Sequence, residues 1–313
     1  MNAPVTSIDP AVLSAITDAG LSVHTVAAVV DRALAEDLTD GPDLTTTATV
    51  PAEQSGRAEL VARQAGVLAG LPIAGYAFAV VSAGRLHCSP LATDGMAVEA
   101  DQPLLVVTGP VRDLLTAERT ALNLLTHLSG IATLTRAWVD AVSGTQTRIR
   151  DTRKTLPGLR ELQKYAVRCG GGVNHRMSLS DAALIKDNHV AAAGSVARAY
   201  ELVAAELAST GRQLVVEVEV DTVAECREAI AAGAELILLD NMTPAQLRSC
   251  VALAAESERT VRLEASGGLS LAAAAEVAAT GVDYLAVGAL THSAPVLDIG
   301  LDLITSAAEG ADR

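Results

Sequence analysis

Apolar positions change their spacing twice along this chain. Between residues 11 and 38 they recur at helical intervals, with Val26, Val29, Val30, Ala33 and Leu34 on one stripe, and predict helices. Asp40-Gly41-Pro42 is a turn, and the Thr45, Thr46 and Thr47 that follow suit extended chain. From 58 to 108 short apolar runs (60–62, 67–71, 97–98 and 104–107) alternate with glycines. They predict a small sheet domain with one helix near 73–82. A long helical stretch then covers about 112–142, with Leu122, Leu125, Leu128, Ile131, Leu134 and Trp138 on one face, and Ser129-Gly130 is expected to interrupt it.

Past that hinge the rhythm becomes that of strands. Apolar runs fall near 149 and at 183–185, 214–220, 236–239, 261–263 and 284–287, the last four about 22 to 25 residues apart. That interval holds one strand, one loop and one helix, and helical patterns at 196–208, 223–232, 244–255 and 271–279 fill the gaps. Continuous apolar strands alternating with helices predict a parallel sheet covered on both faces. A (β/α) barrel and an open doubly wound sheet both satisfy the pattern. No GxGxxG follows a strand, so the nucleotide-binding open sheet loses its best signature.

A length of 313 residues suits a large α/β barrel with a small companion, and a chain that is 50% hydrophobic can bury a core without staples. Cys88, Cys169, Cys226 and Cys250 form no CxxC, which argues against zinc and dithiol sites and for a reducing compartment. The first Lys or Arg is Arg32, and no apolar run reaches the ~18 residues of a membrane span. The expectation is a cytoplasmic protein that engages no membrane.

Charge is unevenly placed. The formal net charge of −14 and an aromatic content of 2% argue against a nucleic-acid partner. Yet residues 148–186 carry nine basic side chains against three acidic ones, and they hold all three lysines of the chain. Most charge runs are solvated faces. Here the flanking pattern is core strand and glycine loop, so an anion-binding cleft is the better reading.

In a barrel, functional residues stand at the carboxyl ends of the strands. Those ends read Arg150-Asp151-Thr152-Arg153-Lys154, then Lys186-Asp187-Asn188-His189, then Glu217 and Glu219, Asp240-Asn241, Glu264-Ala265-Ser266-Gly267-Gly268, and Gly288. One polar strand end is an ordinary loop start. Six in a row, cationic early and acidic late, suit an anionic substrate with a divalent ion. Ser266-Gly267-Gly268 and Gly288 are glycine loops able to cradle a phosphate. A histidine such as His175 is usually structural; beside Arg176 it becomes a candidate donor to a carboxylate.

These residues resemble a known family. Glu118-Arg119-Thr120-Ala121-Leu122-Asn123, Ser129-Gly130-Ile131-Ala132-Thr133, Asp151-Thr152-Arg153-Lys154-Thr155 and Asn174-His175-Arg176 are similar to motifs of the quinolinate phosphoribosyltransferases. So are Ile185-Lys186-Asp187-Asn188-His189, Glu217-Val218-Glu219, Leu239-Asp240-Asn241 and Glu264-Ala265-Ser266-Gly267-Gly268, in the same order. The resemblance implies an N-terminal α/β sandwich (1–125) followed by an incomplete (β/α) barrel (126–313), with the C-terminal tail returning to the N-terminal domain. It implies a magnesium-dependent enzyme of NAD biosynthesis that converts quinolinate and phosphoribosyl pyrophosphate into nicotinate mononucleotide, carbon dioxide and pyrophosphate. Arg153, His175, Arg176 and Lys186 would hold the quinolinate carboxylates, with Arg119 arriving from the second subunit of a homodimer. Lys154, Glu219 and Asp240 would be catalytic, the two acids lying near ribose and metal. Thr152, Ser266, Gly267, Gly268, Ala286, Val287 and Gly288 would surround ribose and phosphate.

The chain departs from that pattern at Pro42, at Ser178 and Ser180, where a glycine and an aromatic are expected, and at Ala286, where serine is common. Every charged position is kept. Three other readings compete: a transferase for another carboxylated heterocycle, a phosphate-binding isomerase or aldolase, and a metabolite-binding regulator. A regulator would be expected to lose its acidic strand ends, yet Glu219 and Asp240 are present.

Overall fold

The structure, a computed structural model, describes residues 8–304. Helices α1 (Pro10–Asp18), α2 (Val23–Asp37) and α3 (Leu44–Thr49) open the chain. Strands β1 (Ser55–Ala62) and β2 (Gly66–Val67), helix α4 (Leu71–Ser82) and strands β3 (His87–Pro90), β4 (Ala97–Val98) and β5 (Pro103–Pro110) follow. Next come helix α5 (Val111–Ala141), strand β6 (Arg148–Arg150), helix α6 (Arg160–Cys169), strand β7 (Ala183–Ile185), and helices α7 (Asp187–Ala193) and α8 (Val196–Thr210). Strands β8 (Val216–Val220), β9 (Leu236–Asp240) and β10 (Arg262–Ser266) then alternate with α9 (Val223–Ala232), α10 (Pro244–Ala255) and α11 (Ala274–Ala278). Strand β11 (Tyr284–Ala286), helix α12 (Ala289–His292) and strand β12 (Ile299–Ile304) complete the described chain.

Two compact units result, and neither is contiguous. The first takes residues 1–134, 156–171 and 293–313; the second takes 135–155 and 172–292. The division expected at residue 125 is thus too simple, because α6 and β12 rejoin the first unit. In that unit β12, β1, β5 and β3 form a sheet with antiparallel ladders, and β12 runs beside β1 from Arg57↔Ile304 to Ala62↔Ile299. The return of the chain to the N-terminal domain is therefore strand addition up to Ile304; the tail beyond lies outside the described residues. Helix α4, buried through Tyr76 and Phe78, supplies the core of this unit.

Three local expectations need correcting. Thr45–Thr47 lie in α3, because Asp43 caps that helix by accepting from the Thr46 N–H and hydroxyl at 2.9 and 2.5 Å. Helix α5 runs unbroken through Ser129-Gly130. The serine hydroxyl there bonds Ala69, and the glycine faces the Pro295 carbonyl, which would stand 2.0 Å from an added Cβ. Strand β3 and helices α6 and α7 are further elements that the spacing described above does not include.

In the second unit all ladders are parallel, in the order β6-β11-β10-β9-β8-β7. This is chain order rotated by one strand, with no reversal and hence no switch point, as a singly wound barrel requires. The gap falls between β6 and β7. There Val173 makes a single parallel bridge to Arg150, with Val173 N–H on the Ile149 carbonyl at 2.8 Å. Helices α9 and α10 begin with capping boxes, Thr222 with Glu225 and Thr243 with Gln246, so the helical starts are locally encoded. The four cysteines are free. Among the described residues no single helix is long and apolar enough to cross a membrane.

Candidate active site

Side chains alternate along a strand, so Glu217 and Glu219 on β8, Leu238 and Asp240 on β9, and Glu264 and Ser266 on β10 share one face. Glu219, Asp240 and Ser266 lie at or next to the carboxyl ends of their strands, and the ladder sets Glu219 level with Leu238 and Glu264, and Asp240 level with Ser266. Glu217 and Glu264 stand two residues before Glu219 and Ser266 on their own strands, and both are buried. The sheet thus brings the late acidic residues to one end of the second unit, with a second acidic tier beneath.

The cations arrive from β6 and the Val173 bridge. Arg153 and Lys154 follow β6, and His175 and Arg176 follow the bridge. Arg176 donates from Nη1 to the Ala182 carbonyl at 3.0 Å. Burial, and then the charge of Arg153, lower the Arg176 guanidinium below its ordinary value, so two like charges have been brought together. The Arg153 Nε is sealed from solvent with no hydrogen-bond partner. Such an arrangement is costly unless an anion completes it. Lys186, at the end of β7, forms an ion pair with Glu219. Asp181 accepts from the N–H groups of Met177 and Ser178 at 2.6 and 3.0 Å, and the Ser178 and Ser180 hydroxyls meet at 3.0 Å. The unusual serines therefore shape the loop after Arg176 without changing its charge.

The glycine loops are built for close approach. Gly267 and Gly268 have φ of +86° and +57°. A Cβ on Gly267 would stand 2.2 Å from Asn241 Oδ1, while Asn241 itself bonds Ser266 and Asp240. Ala286 and Val287 are buried, and the Val287 N–H bonds the Arg150 carbonyl at 2.9 Å. A Cβ on Gly288 would touch Lys154 Cδ at 3.0 Å, and the Thr291 hydroxyl holds the Lys154 carbonyl at 2.8 Å. Lys154 thus lies beside the second glycine loop, and the Thr152 hydroxyl accepts its N–H at 3.0 Å. Arg119 lies on α5 in the first unit, exposed.

For a divalent ion the donor chemistry fits. Magnesium takes one or two carboxylates, with water and phosphate oxygens filling the rest of its shell. Asp240 ends β9, and Glu219 is the last residue but one of the neighbouring β8. Burial and then the charges of Asp240, Glu225 and Asp187 raise the nearby Asp221 carboxyl, which marks an excess of negative charge at these strand ends.

The deeper tier joins Glu217, Glu264 and Arg150, strand-end residues to which the resemblance assigns no task, to His175, which it implies holds a substrate carboxylate. Glu217, Glu264, Arg150 and His175 form a buried ionic cluster, with Arg150 Nη1 on Glu264 Oε2 at 2.5 Å and His175 Nε2 on Glu217 Oε2 at 2.7 Å. The signal that could have found it is an acid in the interior of an otherwise apolar strand, two positions before the functional one.

Comparison with known proteins gives the family. The family profile for the quinolinate phosphoribosyl transferase N-terminal domain matches residues 43–129, and that for the C-terminal domain matches 131–302. A nicotinate-nucleotide pyrophosphorylase (carboxylating) from Mycobacterium leprae is 55% identical over 273 residues, covering 87% of this chain and 95% of its own. A probable enzyme of the same name from Bacillus subtilis is 42% identical, covering 87% and 91%. The solved nicotinate-nucleotide pyrophosphorylase of Francisella tularensis superposes with a TM-score of 0.84 at 38% identity, over 91% of this chain and 98% of that one. With both domain profiles matched in order across a singly wound parallel sheet that carries cations and carboxylates at its carboxyl edge, this chain belongs to the quinolinate phosphoribosyltransferase family.

Proposed function

We propose that the protein transfers a phosphoribosyl group from phosphoribosyl pyrophosphate to quinolinate with loss of carbon dioxide, as a cytoplasmic homodimer. The observation that carries this reading is that Arg153 and Arg176 are both partly buried, with the Arg153 Nε lacking a hydrogen-bond partner and Arg176 lowered by burial and then by the charge of Arg153, a need that a ring dianion would satisfy. Lys186 exchanges its Glu219 partner for a substrate carboxylate, which frees Glu219 to face the sugar. Arg119, exposed on α5, is the group offered to the second subunit's site.

With the ring acid oriented, its nitrogen forms a bond to the anomeric carbon as the carbon–oxygen bond to pyrophosphate breaks, and pyrophosphate leaves with the electron pair. Glu219 and Asp240 stabilise the positive charge that develops on the ribose. The Ser266–Gly268 and Ala286–Gly288 loops hold the 5′-phosphate on backbone N–H groups, with Lys154 beside the reacting oxygens. Glu219 and Asp240 would hold a magnesium ion, which would supply neutralisation of the pyrophosphate charge. The carbon–carbon bond to the adjacent carboxylate then breaks and carbon dioxide departs. The electron pair stays on the ring carbon, where the quaternised nitrogen stabilises it, and that carbon takes a proton from water, leaving hydroxide.

Release of carbon dioxide from carboxyl-labelled quinolinate, with and without phosphoribosyl pyrophosphate, tests the reading. Release that requires the donor is expected; release without it, or none with it, overturns the assignment. Arg153→Ala is expected to lose about 3 kcal/mol of transition-state stabilisation, roughly a hundredfold in kcat/KM, because it leaves a substrate carboxylate unpaired.

A further inference from the structure

Beneath the proposed site lies the buried cluster to which that reading gives no part, and the following inference rests on that reading. We propose that Glu217, Glu264 and Arg150 are positioning residues that lock His175 in one tautomer and, through it, fix the Arg176 guanidinium for recognition of the ring acid.

The case begins at His175. Its Nδ1 accepts the Arg176 N–H at 2.7 Å, so that nitrogen carries no proton. The ring proton therefore sits on Nε2, 2.7 Å from Glu217 Oε2. Glu264 Oε1 lies 3.7 Å from the same nitrogen, and the other Glu264 oxygen accepts from Arg150 at 2.5 Å. Arg150 also reaches the Asn174 carbonyl at 3.4 Å, while Asp151 accepts from the His175 N–H at 2.8 Å and from the Asn174 amide at 2.6 Å. Side-chain exposure is 7% for His175, 2% for Glu217 and 0% for Glu264. The backbone turn that presents Arg176 is thus tied at successive residues to groups fixed on β6, β8 and β10.

By count the same atoms could ligate a metal: one imidazole and two carboxylates lie within 4.8 Å of one another. The tautomer argues otherwise. A metal on Nε2 would move the ring proton to Nδ1, where it would confront the Arg176 N–H, donor against donor. The cluster is a hydrogen-bonded support. An imidazole with both nitrogens engaged in this way has no donor to offer a substrate carboxylate, so His175 acts through Arg176. The family resemblance implies a direct contact instead, and the measurements below separate the two.

Nitrogen-15 NMR of the histidine-labelled protein reads the tautomer directly, with His175→Gln identifying the signal. A neutral ring protonated on Nε2 is expected in the ligand-free protein. A cationic ring, or one protonated on Nδ1, overturns the proposal whatever any variant does. Steady-state kinetics supply the second measurement. Glu217→Leu removes the acceptor and is expected to raise KM for quinolinate by about tenfold, with the phosphoribosyl pyrophosphate KM little moved. Glu217→Gln, which keeps an acceptor oxygen, is expected to recover most of that loss along with the tautomer signal. Unchanged quinolinate KM in a folded Glu217→Leu protein refutes the positioning role. An inactive wild type with the expected tautomer refutes the proposed reaction and leaves the hydrogen-bond assignment standing.

Discussion

Glu264 shows at one residue what the interior of this sheet costs. Burial, and then the charge of Glu217, push its carboxyl up to about 8 against the pull of Arg150, with Asp151 adding to the rise. The groups facing it are Arg150 from β6, Glu217 from β8 and His175 after the Val173 bridge. An acid whose folded value exceeds its unfolded one keeps its proton better in the native state. Its stabilisation is therefore complete below the unfolded value, and it fades as pH rises toward 8. Glu264→Gln mimics the protonated acid at every pH. The gap in unfolding midpoint between wild type and this variant is expected to widen, against the wild type, from pH 5 to pH 9; a constant gap would contradict the assignment. Gly267 offers a steric counterpart. With φ at +86° and Asn241 Oδ1 at 2.2 Å from an added Cβ, Gly267→Ala is expected to cost about 1–3 kcal/mol and to raise KM for the phosphoribosyl donor, measured by thermal melts and kinetics. Arg153, Arg176 and Lys186 are legible in the sequence because they crowd a segment rich in charge of one sign. Glu217 stands beside Glu219 in the same motif yet carries no signal of depth, since two residues along a strand change burial without changing face.

At the scale of elements, legibility follows periodicity. Helices α9 and α10 and strands β8 to β11 match the expected spacing because each buries a face that the sequence repeats. Short elements set by one contact do not show: α3 depends on the Asp43 cap, β3 on its ladder to β5, and β12 on its ladder to β1. Helix α5 is the instructive error. Glycine in a helix costs about 1 kcal/mol against alanine, so Gly130 reads as a break. In the fold that same glycine lets the chain at Pro295 and Val296 pass within reach of the helix axis. Two effects then oppose each other in Gly130→Ala. The propensity gain is about 1 kcal/mol, whereas a Cβ placed 2.0 Å from a backbone carbonyl forces the crossing chain to move. The clash outweighs the gain. Gly130→Ala is expected to lower the melting temperature, and a rise would show that the crossing segment yields freely.

The chain as a whole is strongly negative while its cations gather in one segment, and the two fields have different ranges. The formal net charge is −14, while residues 148–186 hold a surplus of six positive charges. Of the basic residues in that segment, Arg160, Lys164 and Arg168 lie on α6 of the first unit, a division that sequence position alone hides. What remains near the strand ends acts at contact distance, whereas the net charge acts on an approaching anion from afar. Screening separates them, because the Debye length is about 30 Å at 0.01 M salt and about 10 Å at 0.1 M. Raising salt over that first interval removes repulsion from distant carboxylates and leaves contacts of about 3–4 Å nearly intact. From about 0.1 M to 1 M the Debye length falls to about 3 Å, and the contacts themselves weaken. For the ring dianion, kcat/KM is therefore expected to hold or rise at first and to fall afterwards, with the fall carried by KM. Steady-state kinetics across the two intervals, at fixed pH and fixed magnesium, check this. A steep decline from the lowest salt onward would mean that the far field at the mouth of the site is already positive, with the acidic surface too remote to govern approach.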